Sequence, residues 1–152
     1  MSESANQLVL AACETWEQAS RALIDCARAG VGSARVIFIA VSSVFNEPGA
    51  CDRTFELPFS EAGERVRCNS GFLARQLGSE ELGRIRFEDA LRALLAPRQA
   101  VRIVSYVRQR KIVIAVRLRK PVEERSVGLV LLGSSSTPVE FQDLRPGGAS
   151  VN

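Results

Sequence analysis

The residue types that usually carry chemistry are scarce in this chain and poorly spaced for it. There is no histidine, which removes the usual general base, the commonest metal ligand and the pH switch together. The four cysteines, Cys13, Cys26, Cys51 and Cys68, form no CxxC pair. A zinc site would need all four to converge, and a cysteine nucleophile would lack its activating histidine. Carboxylates occur as adjacent pairs, Glu80-Glu81, Glu88-Asp89 and Glu123-Glu124. Neighbours on a helix point about 100° apart, so these are not natural acid/base pairs. Asp25 reads as a solvated helix residue. Gly30-Val31-Gly32 follows a helix and precedes a strand, the reverse of a dinucleotide fingerprint, and it lacks the third glycine. Gly133-Ser134-Ser135-Ser136-Thr137 could line an anion nest but reads first as a turn. No catalytic residue, metal site or cofactor is expected.

The strongest physical signal is basic. Arg98, Arg102, Arg108, Arg110, Lys111, Arg117, Arg119, Lys120 and Arg125 lie within one stretch whose only acids are Glu123 and Glu124. Nine basic residues against two acidic ones give that stretch +7, in a chain of formal net charge +3. A tight turn at Gln109-Arg110 would pair 101–107 with 112–118. Arg108 then faces Lys111, Tyr106 faces Val113 and Arg102 faces Arg117. One face of this hairpin is apolar and the other basic, a partition that a one-residue slip would destroy. Gln-Arg is not a favoured turn pair, which counts against it. Like charges opposite one another on a sheet are unfavourable. Arg102 against Arg117 therefore asks for a carboxylate nearby, for plain solvation, or for an acidic partner. Nucleic acid, a phosphorylated ligand or an acidic protein surface would serve. Arg102, Tyr106, Arg108, Lys111 and Arg117 are the candidate binding residues. In a nucleic-acid complex Tyr106 would stack a base; otherwise it is an ordinary strand residue.

The elements that must position these residues follow from hydrophobic periodicity. Leu8, Ala12, Trp16, Ala19, Leu23 and Cys26 recur at steps of four and three, which predicts a helix from Gln7 to Arg28. Ser4 and Gln7 have capping-box spacing, and Gly30 and Gly32 stop the helix. On that helix Cys13 and Cys26 would stand roughly 20 Å apart, beyond disulfide reach. Arg35–Ser43 reads as a buried strand, Asn46–Gly49 as a turn, and Phe55–Phe59 as a half-exposed strand with a hairpin return over Ser60–Asn69. Short helices are expected at Ser70–Leu77 and Phe87–Leu95, the second closed by Pro97. Strands should follow at Val101–Val107, Ile112–Leu118 and Val127–Leu132, then a loop at Gly133–Pro138 and a turn of helix from Phe141 to Leu144. Trp16, Leu23, Ile103, Ile114, Val116 and Leu118 should share one core beneath the first helix.

This order predicts an α+β fold. A largely antiparallel sheet of about five strands carries an N-terminal helix on one face, with short helices in a middle insertion. Residues 1–6 and 145–152 read as flexible tails around a single domain over 7–144. With 152 residues and 46% apolar content, one ordinary core is expected. The purest apolar runs, Val36–Val41 and Leu129–Leu132, are too short to span a bilayer. The chain is expected to be cytoplasmic and free of the membrane.

Three segments, Ile112–Leu118, Val127–Gly133 and Phe141–Leu144, together with the helix leading into Ala34–Phe38, resemble a GAF domain. That is a small module of signalling proteins that binds ligands and dimerises. In it an "AVPL"-like strand, a "GVLVL"-like strand and an "F-x-x-x-D-L" helix start follow one another. The likeness covers roughly 65 residues and is mostly strand propensity. Arg117 stands where the family's proline is usual, and Pro146 cuts short the final helix. The resemblance implies a non-enzymatic binding or adaptor module that contacts a protein partner, a second copy or a small ligand. A nucleic-acid-binding protein using residues 98–125 and a structural subunit of a larger assembly are the alternatives.

Overall fold

The computed structural model describes residues 7–32, 35–44, 54–59, 63–69, 86–119, 123–135 and 137–143. Its first element is a strand, β1 (Gln7–Cys13), and not the start of a helix. Leu8 to Cys13 are all buried. A strand buried on both faces reads as a continuous apolar run, which is why the three-and-four spacing across Leu8, Ala12 and Trp16 misleads. The true helix start lies further along. Thr15 has extended backbone and its hydroxyl accepts from Gln18 N, while Gln18 Oε1 accepts from Glu14 N. This is capping-box chemistry at Thr15-x-x-Gln18; the Ser4–Gln7 spacing lies partly outside the described residues. Helix α1 (Trp16–Arg28) follows and buries Ala19, Ala22 and Cys26. Gly30, at φ +90°, ends it as expected. Cys13 and Cys26 thus sit on different elements, and both are free thiols.

Strand β2 (Val36–Val41) is wholly buried. Strands β3 (Thr54–Pro58) and β4 (Arg65–Asn69) form the expected antiparallel pair. The turn expected at Asn46–Gly49 and the helix expected at Ser70–Leu77 lie outside the described residues. Helix α2 (Phe87–Leu94) buries Phe87 and Leu91.

The next element overturns the hairpin. Residues 97–108 form helix α3 (Pro97–Arg108), with Pro97 in its first turn rather than closing the helix before it. Ala100, Ile103, Val104 and Val107 are buried at helical steps. Ile103, Val104 and Val107 are β-branched and look like a strand when judged by propensity alone. Strand β5 (Ile112–Leu118) is as expected. The strand expected at Val127–Leu132 is helix α4 (Glu123–Ser134), and the helical turn expected at Phe141 is strand β6 (Glu140–Asp143).

Among the described residues the sheet has six strands, each antiparallel to its neighbours, in the order β3-β4-β2-β5-β1-β6. β1 and β2 both pair with β5, so they run parallel with β5 between them, and α1 joins them. β5 and β6 flank β1 in the same way, and α4 joins them. These are two interlocked split βαβ units, β1-α1-β2 and β5-α4-β6. Between them β3, β4, α2 and α3 are inserted, extending one edge of the sheet.

The result is an α+β fold with helices on both faces and two cores. Val9, Ala11, Phe38, Ile112, Ile114, Val116 and Leu118 face α1 and α4, with Trp16 and Leu23 packed against them. Leu8, Leu10, Ile37, Ile39, Val113 and Ala115 face α2 and α3, and Ile103 belongs there. The expected single core is therefore split by the sheet, with Ile103 on the opposite side from the other five residues. No helix among the described residues is long and apolar enough to cross a membrane.

Candidate functional site

The five candidate residues 102, 106, 108, 111 and 117 do not converge. Arg102 lies on α3 and pairs with Glu140 of β6. Tyr106, on the same helix, is only 9% exposed and belongs to the core beneath α3, so its ring face is not offered to a base. Arg108, at the end of α3, lies over the Phe59 ring at 5.9 Å. Lys111, in the connection to β5, pairs with Glu14. Arg117 is on β5, opposite Leu8 of β1 rather than opposite Arg102. The neighbouring Arg110 pairs with Glu64 at 2.8 Å. Three of these basic residues, Arg102, Arg110 and Lys111, thus meet carboxylates brought in from distant parts of the chain.

The hydroxyls of Ser135 and Thr137, after α4, are engaged internally. Thr137 Oγ1 accepts from Ala12 N at 2.8 Å, Ser135 Oγ donates to Thr137 O, and Cys13 Sγ donates to Ser134 O. This segment lies at a helix C-terminus, the electronegative end of the dipole, which disfavours an anion. Among the described residues no group of three or more Cys, Asp or Glu could hold a metal ion. Burial raises the Cys13 and Cys26 thiols to about 11, with Glu14 and Asp25 adding to the effect; both are inert sulfurs.

What stands out instead is the outer surface of the α1/α4 layer. Val127 and Leu131 of α4 point into the core, yet Leu129 and Leu132 point outward at 61% and 62% exposed. A helix apolar on both sides is unusual at a protein surface. Gly128 lets Phe141 of β6 lie close: a Cβ there would sit 3.1 Å from Phe141 Cζ. Phe141 is 43% exposed and lies on the edge strand of the sheet. On the other side Ile24 of α1, 53% exposed, lines with Gly133 an open groove of about 1230 Å³.

The groove is bordered along α1 by Glu17, Arg21, Asp25 and Arg28. Trp16 anchors the start of α1, its indole N–H donating to Val44 O at 2.7 Å and its ring meeting Phe38 edge-on at 5.7 Å.

The N-terminus of α4 is fixed by a two-pronged ion pair. Arg35 Nη1 and Nη2 donate to Glu123 Oε1 and Oε2 at 2.9 and 3.0 Å, and both side chains are mostly buried, at 13% and 18% exposed. Arg35 Nη1 also donates to Arg117 O, and Glu123 Oε1 also accepts from Arg119 N. This cluster ties the start of β2, the end of β5 and the first turn of α4 together. Sequence reading missed this surface because Val127–Leu132 has the composition of a buried strand. The acidic pair Glu123-Glu124 ahead of that run, suited to a helix N-terminus, was the signal available. No family model, curated protein or solved structure matches this chain.

Proposed function

We propose that this chain is a non-enzymatic binding module that works by protein contact through the outer surface of α1 and α4. The observation that carries this reading is the pair Leu129 and Leu132, each more than half exposed on α4, the helix whose Gly128 meets Phe141 and whose Gly133 shares a groove with Ile24. Exposed apolar residues gathered on one helical layer and bordered by charge are characteristic of a protein-contact surface. The rim here is the charged side of α1. The reading rests on this surface and not on the GAF resemblance, whose second and third segments fold as helix and strand rather than strand and helix.

Nucleic acid is not favoured, since Arg102 and Lys111 each hold a carboxylate and Tyr106 is buried. The test is purification of the tagged chain from its native cell after nuclease treatment, alongside the double variant Leu129→Asp/Leu132→Asp. A protein partner retained by the unaltered chain and lost by the variant is expected. Recovery that ignores the two leucines, or that depends on nucleic acid, would overturn the reading.

A further inference from the structure

We infer that the partner for this surface is a second copy of the chain, related by a two-fold axis that sets α1 antiparallel on its own counterpart. The inference rests on the protein-contact reading above and names the occupant. What selects a second copy is the order of charges along the groove side of α1. Glu17, Arg21, Asp25 and Arg28 border the groove in that order. They alternate acid, base, acid, base at steps of four, four and three, so they fall along one side of the helix. Read in reverse the stripe is base, acid, base, acid, which is its own complement. With the axis level with residue 23, Arg21 of each copy meets Asp25 of the other, and Glu17 comes within one residue of Arg28.

Ile24 lies one residue from that axis and is 53% exposed, so the aliphatic side chains of the two copies meet at the centre. A two-fold interface requires this self-complementarity, because residue i meets j while j meets i. A partner of uniform charge would be repelled at every second position. Within one copy Asp25 and Arg28 approach only to 3.8 Å, with Arg28 79% exposed. Such a solvated pair is worth little, and both groups can turn across the interface. An axis that crosses the helices lays α4 on its own counterpart in the same step. Leu129 and Leu132 are then covered together with Ile24.

The test is sedimentation equilibrium of the full chain over a wide concentration range, with circular dichroism confirming the fold of each variant. The variants are Arg21→Glu, Asp25→Arg, the double exchange of both, and Leu129→Asp. The unaltered chain is expected to dimerise. Each single charge reversal should weaken the dimer about tenfold, and the double exchange should restore most of that loss. Leu129→Asp should give a monomer.

A chain that stays monomeric throughout would overturn the inference, as would a dimer indifferent to Arg21→Glu or a double exchange no better than the singles. A monomeric chain that still loses a different co-purifying protein in the two-leucine variant would refute the second copy alone. The binding-module reading would then stand.

Discussion

Removing the Glu123 carboxylate should unfasten α4 from the rest of the fold, and the size of the effect follows from what it holds. Glu123→Ala deletes two hydrogen bonds from Arg35, at 2.9 and 3.0 Å, and one from Arg119 N at 2.9 Å. It also leaves the Arg35 guanidinium, 13% exposed, with the Arg117 carbonyl but no counter-charge among the described residues. Breaking a buried pair in this one-sided way costs about 3–5 kcal/mol. The pair keeps some contact with water, which places the expected loss near the lower figure. For a domain of this size that lowers the melting temperature by roughly 6–12 °C. Glu123→Gln keeps one acceptor oxygen but also leaves the guanidinium without a counter-charge, and should cost about 2–3 kcal/mol. Replacing both partners by apolar residues, Arg35→Met with Glu123→Leu, should recover much of the loss, since neither charge is then stranded. Urea unfolding followed by circular dichroism gives these three values, and with the singles Arg35→Met and Glu123→Leu the double-mutant cycle isolates the coupling. A loss under about 0.5 kcal/mol for Glu123→Ala, or a double variant as weak as the sum of its singles, would refute this account of how α4 is held.

Ile114→Ala should cost about 2–5 kcal/mol in the same assay, because Ile114 is fully buried at the centre of β5; a value under 1 kcal/mol would contradict that packing. Cys13, Cys26 and Cys68 should be titratable as free thiols once the chain is denatured without reductant. In the native state Cys13 and Cys26 should resist alkylation, and a pair found oxidised to each other would contradict the structure. Both thiols have folded-state pKa values raised to about 11 from about 9. Their burial therefore stabilises the fold fully below pH 9, and the gain is lost as pH rises through 11, which alkaline unfolding will register. Gly128→Ala should leave stability unchanged or raise it by up to about 1 kcal/mol through helix propensity. The ring it crowds, Phe141, is half out in solvent and can swing away. A marked loss of stability would show that the Phe141 contact with α4 is rigid.

How much of this was legible in the sequence depends on whether apolar spacing had one reading or two. β2, β5 and the β3–β4 pair were legible, since Val36–Val41 and Ile112–Leu118 are β-branched runs bounded by polar residues. The end of α1 was legible from Gly30. The segments Leu8–Cys13, Val101–Val107 and Val127–Leu132 were not. Each is a short apolar run that suits a buried strand and a buried helix equally, and length and caps must then decide. Pro97 in the first turn of α3 and the acidic pair opening α4 were the deciding marks. Thr15-x-x-Gln18 was a third, masked by the accident that Leu8, Ala12 and Trp16 continue the helical step across the strand.

The errors were coupled, because each reassignment moved charges as well as apolar residues. Reading 101–107 as a strand set Arg102 against Arg117 and built a basic face that needed an acidic partner. As a helix the same residues carry Arg102 to Glu140, while Tyr106 turns into the core. Part of the counter-charge sought outside the chain was already inside it, supplied by Glu14, Glu64 and Glu140 from three distant segments. Long-range ion pairing of this kind leaves no local trace in sequence. The converse holds for α4. A run that looked fit only for the interior lies on the surface, and its two outward leucines, like Ile24 and Val101, are left more than half exposed by folding. Unlike the arginines, they gain nothing from the water they face. Excess charge that folding neutralises gives no reason to expect an outside partner, whereas apolar surface that folding leaves exposed does give one.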